Sequence, residues 1–369
     1  MSQTTNEMKE LERQLILARA NVRADQERLE QLAAASKPSV MAVGIGGAGC
    51  NILTWVKQEG VTGGRLISVN TDANHLSISQ ADRRILIGEK TCRGLGCGGY
   101  PKVGEQAMNE SIQEVFGEVE KSNILFLVAG LGGGTGTGGI VELARQLHKK
   151  FENDPVPRLV VGVATLPFQI ETARMGAAKA AIQQLKQYCD TVVIIDNDRL
   201  NHLAGNLPFA EALGVANTTI GKFVKGVTET ITSASLINLD YADLRAIMHD
   251  AGLASIGIGQ GKEDGKVEHA VERAINERLL DVEDITKARG VLIHISGGED
   301  MTLEEVHHGG ELIKRYMPPN TKIIWGAKVD PTLKGKASVM VVITGVDSAF
   351  LKTQKKKLGR FKNPFSKNG

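Results

Sequence analysis

Short apolar runs and helical repeats take turns through the first half of the chain. Runs at residues 40–43, 65–69, 124–129, 159–164 and 191–195 are rich in Val, Ile and Leu, the composition of strands buried on both faces. Between them the pattern predicts helices, one from Ile52 and another from Ile140. Strands alternating with helices imply a mostly parallel sheet, with ligands at the carboxyl ends of its strands. After Leu213-Gly214-Val215-Ala216-Asn217 the pattern changes to one long helix with Ile220, Phe223, Val224, Val227 and Ile231 on a single face. Beyond residue 250, four strands at 253–259, 290–296, 322–327 and 337–343, with helical stretches near 266–280 and 302–317, predict a smaller α+β domain covering that helix.

The two ends read differently. Residues 7 to about 35 form one predicted helix with Met8, Leu11, Leu15, Ala18, Val22, Leu29 and Leu32 on a 4-3 seam broken only by Asp25. It is a short coiled coil or partner-binding helix, or an arm packed on its own globular body, and Ser36-Lys37-Pro38-Ser39 ends it. From Lys352 onward the chain has seven Lys or Arg residues, Phe361, Phe365 and no acid, a segment expected to be disordered alone.

The connections between strands and helices carry the chemistry. Gly130-Leu131-Gly132-Gly133-Gly134-Thr135-Gly136-Thr137-Gly138-Gly139 follows one buried strand and precedes a helix. Glycines allow positive φ and bare amides, so the N–H groups can converge on an anion where the helix dipole also favours negative charge. The two threonines add hydroxyl donors. No Lys follows in the Walker spacing, so this is not a P-loop. A second glycine loop, Gly44-Ile45-Gly46-Gly47-Ala48-Gly49-Cys50-Asn51, contains G-x-G-x-x-G. With Asp72 after the next strand, it fits the dinucleotide fingerprint of an NAD-dependent dehydrogenase. The loop at 130, which such a fold does not require, argues against that reading.

Gly132 to Gly138 resembles the signature of the tubulin and FtsZ superfamily of polymerising GTPases, and the resemblance extends in order over roughly residues 39–346. The loop ending at Asn51 is similar, with Ala48 where glycine is common. Asn70-Thr71-Asp72-Ala73 and Gly94-Leu95-Gly96-Cys97-Gly98-Gly99-Tyr100-Pro101 resemble the next two nucleotide loops. They leave room for phosphates and a hydrated Mg²⁺, which Asp72 could hold through water, its other role being to cap the next turn.

The resemblance implies GTP and GDP as ligands and a set of contacts for them. Gly46, Gly47, Gly98, Gly99, Gly134, Thr135 and Gly136 belong to the implied GTP site. Glu171 takes the ribose, and Arg174, three residues later, faces the terminal phosphate. Asn197, Asn51 and Asn217 contact the nucleoside, with Leu213 where an aromatic usually stacks on the base. Leu236-Ile237-Asn238-Leu239-Asp240-Tyr241-Ala242-Asp243 closely resembles the family's synergy loop, making Asp240 and Asp243 the catalytic pair and Asn238 their helper. Paired carboxylates suit orienting a nucleophilic water for phosphoryl transfer.

Helix length then adds a constraint. About 20 residues at about 1.5 Å each separate the base site from the Asp pair by roughly 30 Å, so the acidic loop must act on a neighbour's nucleotide. A head-to-tail contact that does not close propagates as a filament. A tubulin-like scaffold that binds GTP without turnover is the alternative, and the intact Asp pair speaks against it. The tail would bind a membrane-tethering adaptor, contact anionic lipid or serve solubility alone. The short extension and tail suggest an archaeal member.

Composition narrows the rest. Hydrophobic content of 42% with 23% charged residues and no apolar run of about 20 residues describes an ordinary globular chain expected in the cytoplasm, at the division site by resemblance. A net charge of +2 gives no case for nucleic acid. Cys50, Cys92, Cys97 and Cys189 are read as reduced thiols, and no metal-ligating set is spaced for zinc, His294 and the His307-His308 pair being read as structural.

The expected class is α/β, tubulin/FtsZ-like: a Rossmann-like parallel-sheet GTPase domain joined by a long central helix to a smaller α+β domain. The expected boundaries are an N-terminal helical extension (1–38), a GTP-binding domain (39–216), the central helix and synergy loop (217–249), a C-terminal domain (250–347) and a basic tail (348–369).

Overall fold

A computed structural model describes residues 28, 38–199, 207–232, 240–280 and 282–348. The N-terminal heptad seam, Asn238 and the basic tail lie outside the described residues. The chain runs β1 (Val40–Ile45), α1 (Gly46–Gln58), β2 (Gly64–Asn70), α2 (Ala73–Ile78), β3 (Arg83–Leu86), α3 (Glu89–Cys92), α4 (Pro101–Glu110), α5 (Ile112–Val119), β4 (Ile124–Gly130) and α6 (Thr135–Phe151). It continues through β5 (Leu159–Thr165), α7 (Thr172–Tyr188), β6 (Thr191–Ile195), α8 (Phe209–Thr232), α9 (Tyr241–Met248), β7 (Gly252–Lys262) and α10 (Lys266–Asn276). The last elements are β8 (Val282–Asp284), β9 (Gly290–Gly297), α11 (Leu303–Tyr316), β10 (Lys322–Val329), β11 (Lys336–Thr344) and β12 (Asp347–Ser348).

Ten strands form one sheet in the order β10-β9-β11-β7-β6-β5-β4-β1-β2-β3. From β3 to β7 every pairing is parallel, while β11 runs antiparallel to both β7 and β9. The central helix is therefore not the sole link between the halves. Thr191↔Gly252, Val192↔Leu253 and Val193↔Ala254 join the sheet across them.

Side chains alternate across the sheet as strand geometry requires. Met41, Val43, Leu125 and Leu127 face a core shared with α4, α5, α6 and α7, whereas Val40, Ala42, Phe126 and Val128 face α1 and α8. Phe126 meets Phe223 of α8 edge to face, ring centres 5.7 Å apart. Helices on both faces explain why these strands read as unbroken apolar runs.

Three helices begin earlier than apolar periodicity predicts: α1 at Gly46 rather than Ile52, α6 at Thr135 rather than Ile140, and α8 at Phe209, two turns before Asn217. For α1 and α6 the reason is steric. A Cβ on Gly49 would lie 2.3 Å from the carbonyl oxygen of Val128, on Gly136 2.5 Å from that of Gly130, and on Gly138 1.8 Å from that of Pro101. Those glycines are helical residues that let the first turns press onto neighbouring backbone. Having no side chain, they leave no mark in a hydrophobic pattern.

Candidate active site

The carboxyl ends of β1, β2, β4, β5 and β6 converge on one edge of the sheet. There the first turns of α1 and α6 abut, a Cβ on Gly46 falling 2.8 Å from the Gly136 nitrogen. The first-turn amides of a helix have no partner four residues back, so two sets of donors and two positive dipole ends face the same space. That space is a cavity of about 320 Å³ lined by Gly47, Gly134, Thr135, Gly136, Glu171, Arg174 and Asn197, among others.

Seven of the candidate ligand residues thus share one cavity, while Gly46, packed against Gly136, is not among its lining residues. Gly98 and Gly99 lie in the loop between α3 and α4, exposed and with φ of 57° and 83°. Asn51 is exposed on α1, and Asn217 is half-buried within α8. Neither is among the residues lining the cavity. Glu171 and Arg174 are paired with each other, Nη1 donating to Oε2 at 2.6 Å. Asp72 caps α2, its Oδ1 accepting the His75 amide at 2.9 Å. Most informative is Asn197: its Oδ1 is buried and has no hydrogen-bond partner among the described residues. A buried carbonyl without a donor costs free energy unless something supplies one, and this one belongs to a residue of the cavity wall.

The threonine hydroxyls are engaged within the protein. Thr137 Oγ1 accepts the Gly132 amide at 2.8 Å and fixes the turn from inside. Thr135 Oγ1 lies 2.6 Å from Thr71 Oγ1 and donates to Cys97 Sγ at 3.3 Å. Thr71 and Cys97 fall in the two loops that resemble nucleotide loops, but neither side chain was singled out as a site residue. Behind this layer, burial pushes the Cys50 thiol up to about 11.

The other half of the candidate site occupies the opposite edge. Asp240 is the N-cap of α9 and accepts the Asp243 amide at 2.6 Å, so the pair does not stand as two unengaged carboxylates aimed at one point. Asp243 Oδ1 in turn accepts from Lys322 Nζ at 3.2 Å, a contact that sequence spacing could not reveal. Tyr241 anchors the helix through its hydroxyl, which donates to the Pro157 carbonyl at 2.7 Å, and burial raises its pKa. Nearby a cavity of about 510 Å³ is lined in part by Arg158, Asp190, Arg245, His249 and Asp250. Asp190, His249 and Asp250 bring potential metal-ligating atoms together there, although Asp190 and His249 are already bonded to each other.

Residues 39–205 match the GTPase domain of the tubulin/FtsZ family, and residues 252–347 match the C-terminal domain of the FtsZ family. The chain belongs to the FtsZ family. It is 44% identical over 325 residues to cell division protein FtsZ 1 of Methanocaldococcus jannaschii, covering 88% of this chain and 87% of that one. FtsZ 1 of Pyrococcus furiosus is 43% identical over 329 residues, covering 88% and 86%. Both relatives are archaeal, in line with the affinity expected from the sequence. Among solved structures, an empty FtsZ dimer from M. jannaschii superposes with a TM-score of 0.80 at 43% identity, over 87% of this chain and 92% of that one. CetZ2 from Haloferax volcanii shares the fold at 21% identity and a TM-score of 0.71, over 85% and 95%. As an FtsZ-family GTPase, the chain binds GTP, and the dehydrogenase reading falls. Among the described residues no helix is long and apolar enough to cross a membrane.

Proposed function

We propose that this FtsZ-family GTPase is a cell-division protein that polymerises head to tail into protofilaments and hydrolyses GTP at the contact between neighbours, in the cytoplasm at the division site. The amides of Gly46, Gly47, Gly134, Thr135 and Gly136 take the phosphates, with Gly98 and Gly99 closing the cradle. Glu171 holds the ribose and Arg174 turns from it to the terminal phosphate. Asn197, with its unpartnered carbonyl, Asn51 and Asn217 read the nucleoside. Mg²⁺ would neutralise phosphate charge when bound, and Asp72 is the carboxylate that would hold it through water. Residues 39–216 form the nucleotide unit, 217–249 the helix and synergy loop, and 250–347 the C-terminal unit.

Asp240 and Asp243, helped by Asn238, orient the attacking water on a neighbour's nucleotide. One observation carries this reading. Tyr241 is tied to Pro157, at the amino end of β5, while the cavity wall includes Gly130 and Thr165, at the carboxyl ends of β4 and β5. The six residue steps from Leu159 to Thr165, at about 3.3 Å each, put the two edges about 20 Å apart. A single chain cannot bring them together, but a second copy stacked on the first can. The tail would recruit a membrane-tethering adaptor and the N-terminal helix a coiled-coil partner.

Mixing two inactive variants tests the shared site. Asp243→Ala keeps the nucleotide cavity, and Asn197→Ala combined with Glu171→Ala keeps the acidic loop. Mixed filaments contain junctions with both halves intact, so the mixture regains GTP turnover that neither variant has alone. A mixture as inactive as its components contradicts the reading.

A further inference from the structure

All four cysteines are buried free thiols, yet two of them touch. Cys92 Sγ lies 3.7 Å from Cys97 Sγ. The approach is built by the backbone: α3 ends at Cys92, and Arg93, Gly94 and Gly96, with φ of 53°, 75° and 82°, fold the chain back on itself. The loop is then fastened to its surroundings. Gly96 N–H donates to the Thr71 carbonyl at 3.1 Å and Ala73 N–H to the Gly94 carbonyl at 3.0 Å. A Cβ on Gly134 would fall 2.6 Å from the Cys97 Cβ, so the loop sits directly on the signature turn.

Cys97 Sγ also closes a triangle with Thr71 Oγ1 at 3.4 Å and Thr135 Oγ1 at 3.3 Å, the two hydroxyls being 2.6 Å apart. Three atoms carry three protons for three contacts. Removing the proton on sulfur leaves one contact without a donor, at the residue that opens α6.

We propose that Cys92 and Cys97 form a modification site, a thiol pair that a small peroxide converts to a disulfide, and that this oxidation loosens the turn at Thr135 and weakens nucleotide binding. The second half rests on the reading of the adjoining cavity as the GTP site. Closing the contact to the roughly 2.0 Å of a disulfide shortens it by about 1.7 Å, and Cys97 loses its proton. The chemistry balances in two steps. The Cys97 sulfur, as thiolate, attacks the peroxide O–O bond, giving a sulfenic acid, and the departing hydroxide takes up the thiol proton as water. Cys92 then attacks the sulfenic sulfur and the displaced hydroxide takes the second thiol proton, giving a second water. Two electrons pass from the two sulfurs to the peroxide. Burial and the neighbouring Cys97 push the Cys92 thiol up to about 11, which suits it to resolving rather than initiating. Cys97 is the sulfur that accepts a hydroxyl hydrogen bond.

The test uses the full chain, reduced or treated with hydrogen peroxide, with thiols blocked under denaturing conditions before mass spectrometry. A fluorescent GTP analogue is titrated into each sample. The expected result is a Cys92–Cys97 disulfide with Cys50 and Cys189 still free. Affinity for the analogue falls about tenfold, the scale of a lost hydrogen bond supporting a charged ligand, and dithiothreitol restores it. Cys92→Ser, or Cys92→Ala if serine does not fold, forms no such disulfide, and dimedone traps the sulfenic acid at Cys97. Four free thiols after peroxide, or a Cys92–Cys97 disulfide with unchanged affinity, overturns the proposal. A reduced chain that does not bind the analogue overturns the site reading and the coupling with it, while the mass still decides the pairing.

Discussion

Lys322 Nζ, at the start of β10, lies 3.2 Å from the Asp243 carboxylate on α9. The pair ties an edge strand of the sheet to the acidic loop. Both side chains are nearly half exposed, 47% and 46%, so the bond contributes at most about 1 kcal/mol to stability. Its larger effect is on where the carboxylate points. Lys322→Met should melt within a few degrees of the parent, a shift of the size expected for about 1 kcal/mol, yet lose several-fold in GTP turnover at saturating nucleotide. Lys322→Arg should recover much of it. Unchanged turnover in Lys322→Met would mean that the lysine does not position Asp243.

Asp240 has two separable roles, cap and charge. Asparagine caps a helix about as well as aspartate, whereas alanine costs about 1 kcal/mol. Asp240→Asn should therefore match the parent in denaturant unfolding and still lose turnover, while Asp240→Ala should lose both. An Asn variant that turns over GTP at the parent rate would leave the residue as a cap alone.

The signature glycines divide into those packed and those open. A Cβ on Gly138 would lie 1.8 Å from the Pro101 carbonyl oxygen, a backbone atom that cannot step aside, while one on Gly133 meets nothing within 4 Å. Gly138→Ala should destabilise the chain by several kcal/mol, on the order of the largest single-site effects, and Gly133→Ala by much less. Urea unfolding of the two variants decides it.

This division marks how far the sequence could be read. Strand positions were legible because β1, β2, β4, β5 and β6 are covered on both faces and show as apolar runs. The cavity was legible because glycine loops after such strands leave amides bare. The starts of α1 and α6 were not, since Gly46, Gly49, Gly136 and Gly138 act through close backbone approach and add nothing to periodicity. The loops carrying Thr71 and Cys97 were legible by resemblance, but the contacts those side chains make, like that of Lys322, were not: each acts on a partner 64, 38 or 79 residues away, a relationship that only the folded chain creates.

His294 supplies a pH dependence. It is half-buried in β9, with Nδ1 2.8 Å from Thr230 Oγ1 and Nε2 3.0 Å from Ser296 Oγ. Burial, with Lys328 adding to it, lowers its pKa from the ordinary 6.5 to about 4. The folded state therefore holds the ring neutral while the unfolded chain takes up a proton below about 6.5. This contribution is present above the unfolded value and is lost as pH falls toward 4, amounting to about 2 kcal/mol between pH 7 and pH 5. Urea unfolding at the two pH values should show that loss in the parent and much less of it in His294→Gln. An equal loss in both would place the titration elsewhere.

Catalysis needs two copies, because the cavity beside Asn197 and the loop carrying Asp243 lie on opposite edges of one sheet. The most direct test of this requirement is GTP turnover per molecule as a function of protein concentration with Mg²⁺, with light scattering recorded on the same samples and Asp243→Ala run in parallel. Specific turnover should rise from near zero above a threshold concentration, together with scattering, and Asp243→Ala should scatter without turning over. Specific turnover that is flat with concentration, or absent while GTP still binds and filaments still form, would contradict it.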